Sequence, residues 1–588
     1  MLTWNSNRAS RSSLPTLAIA WCLYGLLAVA VTWPLITHLS EQAAGHIGND
    51  TWNHLWGFWW VKDELIRHHQ FPIETNLINH PFGGSLYFID LANALLSIPL
   101  QLAFDLVSAY NLVILFQLTL NGFGAFLLAN HLVRNPYAAF AAGVIYGFSP
   151  HLMAQTHNGI SETLNAGFLP IYIMFFLKMV HESPKKNAVF AGLFAFLTTL
   201  FNWYYGLFAI LFSAIYFFVQ LVLQRRRLLA KPFLSRLLLQ IATYTALIIP
   251  FLLLFRATLS ADDALVGRDP EFVWQTLLHH NMTDAMIFFH PGQFYSPDLK
   301  TLFGEDLIIV AYLGYVAMGL ALLATIFYRT REVRIWIGIT GLFFAFALGP
   351  YLYFNGAYTE VAGKWIPLPF LLFFKAAPLF SRISHPFRFV VMVQLGLGVL
   401  SAFAIKGMFA RQGRGGVAAA TTLICLLIVG EYAFLSPAKL PLATSPAAIP
   451  AFYERLGDDN DHYAVLDLPV GVPNLRRAVY TYYQTAHRKA VPYSLNDPFP
   501  SVLRESLLMR YMVNLEFAYA ERLPPLIPDF ELLMSVEALK ADGYRYVVVH
   551  DDLFTMDAQR ERVHTVLSLL IGGPQRYPDD NLVVYRLR

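Results

Sequence analysis

A single carboxylate, Asp50, begins a stretch rich in histidine and tryptophan that runs from His46 to Trp60. It follows the end of the first long apolar run of the chain. A carboxylate held at a membrane surface can act as a general base and take a proton from an acceptor hydroxyl while a lipid-borne group is attacked. The alternative is structural, because an acidic residue at a helix N-terminus is favourable against the helix dipole. The stretch alone leaves both interpretations open.

Tryptophans at positions 52, 56, 59 and 60 recur at helical spacing after Asp50. Tryptophan is enriched where membranes meet water, and amphipathic helices can lie in that plane. The spacing therefore predicts a helix that lies flat at the membrane interface.

A second polar group lies further along the chain, in the segment 151–164, named here the second loop. It contains His151, Gln155, His157, Asn158, Ser161 and Glu162. The structural interpretation is a polar turn between two helices, with Ser161 and Glu162 as a cap. These residues show no fixed ligand spacing, so we assign no metal-ligating residue, and a divalent metal stays open as a cofactor.

Basic residues gather in and after a third segment, 355–385, named here the basic loop: Lys364, Lys375 and Arg382 lie within it, and Arg388 follows. Arginine binds phosphate through two parallel hydrogen bonds. We therefore predict a lipid phosphate site here, with Arg382 and Arg388 as the best candidates. The alternative is that these side chains extend to lipid headgroups.

The composition sets the context for these residues. The 588 residues are 56% hydrophobic and 14% charged, against about 25% charged in typical soluble proteins. Apolar runs of membrane-spanning length recur through the first three quarters. The net charge of +3 is small and the basic residues form short clusters between apolar runs, which indicates membrane topology and no nucleic-acid partner. The two cysteines, Cys22 and Cys425, indicate neither a disulfide framework nor a cysteine metal site.

Eleven membrane spans are predicted. They lie near residues 14–36, 110–132, 137–150, 165–181, 188–203, 206–223, 237–255, 307–327, 335–354, 386–405 and 416–436. With the N-terminus in the cytoplasm, the basic clusters between spans fall on the cytoplasmic side, as the positive-inside rule requires. The first run is favoured as a retained span over a cleaved signal peptide. The apolar segments 91–108 and 366–381 are interpreted as re-entrant or interfacial.

The remaining connections then lie outside, among them 37–109, named here the first loop. The C-terminal part, 437–588, lies outside too. Its apolar runs shorten to strand length at 463–468, 544–550 and 582–587. We therefore predict a transmembrane domain over 1–436 and an extracytoplasmic α/β domain over 437–588.

The chain resembles the GT-C superfamily of glycosyltransferases that use polyprenyl-phosphate sugars. An acidic residue in a long first loop, interfacial helices and about a dozen spans are similar to that family. Short motifs further along the chain also resemble that family, namely 79–86 (NHPFGGSL), 110–112 (YNL), 148–151 (FSPH), 202–206 (NWYYG) and 381–389 (SRISHPFRF). The C-terminal phrases 465–469, 486–488 and 543–550 resemble the appended domain of bacterial members, which implies acceptor recognition.

This resemblance implies a role for each candidate residue. Asp50 would be the general base, with Glu162 and His157 as polar support. The donor phosphate would be bound by Arg382, Arg388 and Lys375. Contacts to acceptor or sugar would come from His54, Trp56, His80, Tyr204 and Tyr205. Many family members pair two acids in the first loop, whereas here Asn49 precedes Asp50, so the base role rests on one carboxylate.

The sequence thus predicts a multi-pass cell-membrane enzyme that transfers a hexose or pentose, with inversion, from a polyprenyl-phosphate carrier to an exported glycan, lipid or protein. Its partners would be that lipid-linked sugar, the acceptor and membrane lipids. One alternative is a transporter or flippase for a lipid-linked glycan, which would favour ionisable groups near the bilayer midplane and related halves. Another is a non-catalytic membrane scaffold that displays the C-terminal domain.

Overall fold

The computed structural model describes residues 14–265, 270–291, 307–377, 380–472, 474–495, 497, 500–517 and 529–587. The α-helices are α1 (Leu14–Val31), α2 (Thr51–Lys62), α3 (Leu91–Ala103), α4 (Leu106–Val133), α5 (Pro136–Gly147), α6 (Pro150–His157), α7 (Ser161–Leu164), α8 (Phe168–His181), α9 (Lys186–Phe201), α10 (Trp203–Leu228), α11 (Lys231–Leu259), α12 (Pro270–His279), α13 (Tyr315–Phe327), α14 (Arg331–Ala347), α15 (Pro369–Ala376), α16 (Val390–Met408), α17 (Arg414–Leu435), α18 (Ala451–Gly457), α19 (Asn474–Arg477), α20 (Val479–His487), α21 (Ser501–Glu505), α22 (Leu507–Phe517), α23 (Asp529–Ala541) and α24 (Asp557–Leu570).

The strands are short. They are β1 (Gln42–Ala44), β2 (Glu74–Thr75), β3 (Gly84–Ser85), β4 (Tyr353–Phe354), β5 (Ala357–Tyr358), β6 (Glu360–Val361), β7 (Lys364–Trp365), β8 (Thr444–Pro446), β9 (Ala464–Leu468), β10 (Tyr544–His550), β11 (Gln575–Tyr577) and β12 (Leu582–Arg586).

Seven helical segments among the described residues are long and apolar enough to cross a membrane. They are Leu14–Val31, Leu106–Val133, Ser161–His181, Trp203–Arg226, Lys231–Leu259, Pro386–Met408 and Arg414–Leu435. Each coincides with a predicted span. The other four predicted spans fall on the shorter helices α5, α9, α13 and α14. The prediction of a polytopic helical protein is confirmed.

One predicted span begins too early. Residues 307–314 are not helical, and α13 starts only at Tyr315, after Gly314 with a φ of 87°. The side chains of Asn158 and His151 bind the backbone of this extended segment at Ile308 and Val310, over 2.9–3.0 Å. These hydrogen bonds satisfy backbone groups that a helix would otherwise pair. The apolar run therefore has the length of a span, but its first part packs against the second loop.

The tryptophan-rich helix is also placed differently from the prediction. Eleven of the twelve residues of α2 are buried, and Trp56 and Trp60 stack at 5.3 Å between ring centroids. The helix packs against α3 and α4 and against α20 of the C-terminal region. The tryptophan spacing correctly predicted a helix, but its rings meet protein rather than lipid.

The C-terminal region contains a four-stranded sheet in the order β11-β12-β10-β9, in which β9 and β10 run parallel and the other pairs antiparallel. The strands predicted at 463–468, 544–550 and 582–587 are confirmed as β9, β10 and β12. The region also hydrogen-bonds to the first loop, because β8 pairs with β1. The division of the chain at residue 436 stays a prediction, although α17 ends at Leu435.

Candidate functional site

The imidazole of His54 lies between two carboxylates. Its Nδ1 atom is 3.0 Å from Oδ2 of Asp90, and its Nε2 atom is 3.3 Å from Oε2 of Glu162. All three side chains are buried. They come from three separate elements, since His54 lies on α2, Asp90 directly precedes α3 and Glu162 lies on the single turn α7. The fold therefore brings a histidine and two acids together inside protein.

Polar neighbours fix the Asp90 carboxylate. Ser161 Oγ donates to its Oδ2 atom, and Asn93 Nδ2 donates to its Oδ1 atom over 2.5 Å. Burial alone would lower the pKa of His54, but the hydrogen bond with Asp90 and the nearby charges of Glu162, Asp90 and Asp50 raise it to about 9. His54 is therefore an imidazolium at neutral pH, and its positive charge offsets part of the negative charge of the two acids.

Close packing holds α2 and α7 in place. A Cβ atom on Gly57, one turn after His54, would lie 1.9 Å from the ring of Phe88, so only glycine allows the chain before Asp90 to approach α2 this closely. On the other side, Asn202 Nδ2 donates to the backbone oxygen of Glu162 over 3.0 Å, and Tyr205 Oη donates to the backbone oxygen of Thr163.

Asp50 borders this cluster from the end of α2. It precedes the helix without capping it through its side chain, and its Oδ1 atom accepts a hydrogen bond of 2.8 Å from Asn53 Nδ2. Its charge acts on both His54 and Glu162. Unlike the buried acids Asp90 and Glu162, it is partly exposed.

His157 does not join the buried cluster. Its backbone oxygen accepts from His46 N over 2.8 Å and from Asn49 Nδ2 over 3.3 Å, and its ring stacks on His46 at 5.3 Å. The supporting role of His157 beside Asp50 and Glu162 stays a prediction. His54 and Asp90 take the inner positions, and His157 contacts the segment just before Asp50.

Arg388 is the cation of the predicted phosphate set that reaches this cluster. Its charge acts on Glu162, and its guanidinium lies 5.0 Å from the ring centroid of Tyr204. The Nε atom of Arg388 is buried without a hydrogen-bond partner among the described residues. Tyr204 Oη lies 3.5 Å from Ser384 Oγ. The guanidinium of Arg388 therefore lies beside the Tyr204 ring with one buried N–H left unused by the described residues.

Arg382 and Lys375 are placed differently. Arg382 ends the short helical turn Phe380–Arg382 and Lys375 lies on α15, and both side chains are exposed. No described contact places either beside Glu162. The phosphate role of Arg382, Arg388 and Lys375 stays a prediction, and Arg388 is the member whose contact with Tyr204 is described.

Three of the residues expected to contact sugar or acceptor make protein contacts away from the cluster, and their binding role stays a prediction. Trp56 is fully buried and donates from Nε1 to Gln484 Oε1 over 2.6 Å. The Nε2 atom of His80 lies 2.6 Å from the backbone oxygen of Asp542, in the C-terminal region. Tyr205 is buried, and its hydroxyl is taken by Thr163. Of the five, His54 and Tyr204 lie at the site.

Sequence reasoning missed Asp90. It precedes an apolar segment that reads as a membrane-associated helix, and nothing nearby resembles a ligand pattern. The sequence signal that could have identified it is an isolated acid directly before the apolar segment 91–108, with Asn93 three residues later.

The three inner side chains can also be considered as cation ligands. His54, Asp90 and Glu162 each offer one ligand atom, and these atoms lie within 4.8 Å of one another. Carboxylate oxygens and a neutral imidazole nitrogen suit several divalent metals, so the donor set fits such an ion once His54 has released its proton to the solvent.

No family model and no curated protein matches the chain. Among solved structures, the apo oligosaccharyltransferase of Archaeoglobus fulgidus is similar with a TM-score of 0.53 at 13% identity, over 94% of this chain and 71% of that chain. ArnT from Cupriavidus metallidurans in the apo state has a TM-score of 0.47 at 12% identity, over 97% of this chain and 98% of that chain. The same enzyme bound to undecaprenyl phosphate has a TM-score of 0.47 at 11% identity, over 98% and 97%. The similarity to the archaeal oligosaccharyltransferase establishes the fold, and this chain has the GT-C fold that the sequence motifs predicted.

Proposed function

We propose that the protein is a membrane glycosyltransferase that moves a sugar from a polyprenyl-phosphate carrier to an exported acceptor. The observation that carries this proposal is the placement of Asp50 and Arg388 around one buried cluster, since the charges of both act on Glu162. A reachable carboxylate and an arginine are the two groups that glycosyl transfer from a phosphate needs, one for the incoming hydroxyl and one for the leaving group. The fold supports the same assignment.

The reaction would be a single displacement. The acceptor oxygen forms a bond to the anomeric carbon, and its proton passes to Asp50. The bond from that carbon to the phosphate oxygen breaks, and the electron pair leaves with the polyprenyl phosphate. Attack opposite to the leaving group inverts the anomeric centre.

Arg388 would bind the donor phosphate and stabilise the charge that develops on it. Its buried Nε atom has no described partner, and a phosphate oxygen would satisfy it, because a buried donor left unpaired costs about 1–3 kcal/mol. Tyr204 fixes the guanidinium from one face through the cation–π contact.

The inner residues would support this chemistry by position and charge. Asp90 orients His54, and His54 in turn holds Glu162. A divalent cation bound by His54, Asp90 and Glu162 would supply further positive charge for the donor phosphate.

The acceptor side would face out of the cell. The cytoplasmic N-terminus inferred from the basic clusters puts the first loop, the second loop and the C-terminal region outside the cell membrane. A polyprenyl-phosphate sugar presented in the outer leaflet and an exported glycan, lipid or protein would then meet at Asp50.

The test is transfer by the purified protein reconstituted in liposomes. Synthetic polyprenyl-phosphate carriers bearing a radiolabelled hexose or pentose are supplied with a panel of exported glycans, lipids and peptides. Label that becomes covalently attached to an acceptor supports the proposal, and transfer that survives EDTA assigns the chemistry to protein side chains alone. Movement of the intact labelled lipid between leaflets without a new glycosidic bond would instead identify a flippase.

A further inference from the structure

Helix α2 has two faces with different surroundings. Successive residues of an α-helix are rotated by about 100°, so Asp50 and His54, four residues apart, share one side. Trp56 lies about 200° from His54 and points the other way, on the face it shares with Trp52 and Trp60. One face therefore carries the candidate catalytic groups, and the other face meets the C-terminal region.

The tryptophan face of α2 contacts a buried amide, that of Gln484 on α20. Gln484 Oε1 accepts from Trp56 Nε1 over 2.6 Å. Its Nε2 atom donates to the backbone oxygen of Leu77 over 2.6 Å and to that of Lys489 over 2.8 Å. The residue is fully buried, so every one of these bonds is made without competing water. Gln484 thus ties α2, the first loop and its own region together.

Backbone bonds extend the same attachment. Val491 N donates to Leu77 O over 2.8 Å, His80 N donates to Val491 O over 3.0 Å, and Asn79 N donates to Tyr493 O over 3.0 Å. Trp52 packs on Tyr482 of α20 with 4.9 Å between ring centroids. The segment from Tyr482 to Tyr493 therefore holds both α2 and the chain that leads to Asp90.

We propose that Gln484 is a positioning residue for the candidate active site, and that the C-terminal region acts through it to fix α2. The inference about catalysis rests on the proposed function, whereas the inference about α2 rests on the contacts alone. Truncating the amide leaves the indole N–H of Trp56 and the backbone carbonyl of Lys489 without these bonds, at about 1–3 kcal/mol each. The carbonyl of Leu77 loses one bond and keeps the one from Val491 N. A displacement of α2 by about 1 Å is enough to cost on the order of a hundredfold in rate.

The experiment measures α2 directly in the full chain. Gln484→Met keeps the side-chain volume and removes all three hydrogen bonds. Backbone hydrogen exchange in peptides covering Thr51–Lys62 should be faster by about tenfold or more than in the wild-type protein. Gln559→Met is the matched control, because Gln559 is a buried glutamine of the same region that contacts Thr555. The control should leave exchange in α2 unchanged.

A second variant guards against a failure of Gln484→Met to fold. Trp56→Phe keeps an aromatic ring on α2 and removes the indole N–H, so it breaks the same contact from the other side. The two substitutions combined should accelerate exchange by less than the product of the single effects, because both remove one interaction. Unchanged exchange in α2 for both single variants would overturn the proposal, whatever the protein transfers.

Kinetics provide the remaining readout once transfer from a polyprenyl-phosphate hexose is measured. Gln484→Met should lower kcat while KM for that donor changes less than twofold, because α2 carries Asp50 and the donor contacts lie on Arg388. A rise in KM with kcat unchanged would overturn the positioning role. If no transfer is detected with the wild-type protein, the proposed function fails, and the exchange result still decides the role of Gln484 in fixing α2.

Discussion

Two side chains contact Oδ2 of Asp90. Nδ1 of His54 lies 3.0 Å away, and Ser161 Oγ donates a hydrogen bond to the same atom. His54 belongs to the first loop, and Ser161 belongs to the second. Asp90 therefore joins the two loops at one polar centre, together with the contact between His54 and Glu162. Its fully buried position makes each of its contacts costly to lose.

Asp90→Asn should lower the rate of transfer by about 10–100-fold. The amide keeps the shape but removes the charge that orients His54, and hydrogen bonds to charged groups contribute about 1.5–3 kcal/mol. The measurement is kcat in the reconstituted system. Asp105→Asn is the control, since Asp105 lies in the same loop and caps α4 through Ser108. Equal rates for the two variants would show that Asp90 serves packing only.

Asp50→Asn should abolish transfer and leave folding and membrane insertion intact. The amide cannot accept the proton of an acceptor hydroxyl, and general-base catalysis contributes about 10²–10⁴-fold. Folding should survive because the contact from Asn53 requires only an oxygen acceptor. Turnover and the thermal midpoint are both measured on the same preparation of the variant and of the wild-type protein. A variant with near wild-type turnover would reduce Asp50 to a charge at a helix end.

Local patterns predicted most of the fold, because the length of an apolar run and the spacing of tryptophans depend on nearby residues alone. They predicted α2 as a helix but not what covers it. Trp56 meets Gln484, which lies 428 residues further along the chain, and no local pattern distinguishes burial against protein from burial in lipid. Asp50 and Glu162 were singled out as acids outside the predicted spans, and the resemblance implied their roles. Asp90 was missed because its partners His54 and Ser161 come from distant segments.

Reporter fusions should place residue 227 in the cytoplasm and the chain after Ser436 outside the cell. The positive charges of 225–227 sit next to the end of a long apolar helix, and such clusters resist translocation. The readout is a pair of reporters, one active only inside and one only outside. A C-terminal fusion active inside would contradict both the span count and an exported acceptor.

The contribution of Glu516 to the stability of the protein should fall as the pH rises from about 4.5 to about 7. Burial raises the pKa of the Glu516 carboxyl to about 7, although the N–H groups of Gly471 and Val470 and the charge of Arg477 act to lower it. The folded chain therefore holds a proton in this range that the unfolded chain has released. This contribution is highest below the unfolded pKa and decreases by about 3 kcal/mol across the window.

Glu516→Gln should remove this contribution, because the amide does not titrate. The thermal midpoint of the full chain is measured from pH 4.5 to 8. It should decrease more with rising pH in the wild-type protein than in the variant. Glu537→Gln serves as the control, since Glu537 is an exposed glutamate of α23. Parallel midpoint curves for wild type and Glu516→Gln would show that the carboxylate is ionised throughout.

Arg388 should determine the use of the donor, and Arg382 should not. Arg388 acts on Glu162 and lies over Tyr204, whereas Arg382 is exposed on a turn. Arg388→Lys keeps the charge but loses the planar fork that binds phosphate through two hydrogen bonds, so KM for the donor should rise. Arg388→Ala should raise KM further and lower kcat, because the leaving phosphate then loses its counter-charge. The measurement is donor saturation at a fixed acceptor concentration, with Arg382→Ala as the matched loss of an arginine. Donor dependence that changes in Arg382→Ala but not in the two Arg388 variants would move the phosphate site to the exposed turn, and Asp50 would then lack a leaving-group partner at the buried cluster.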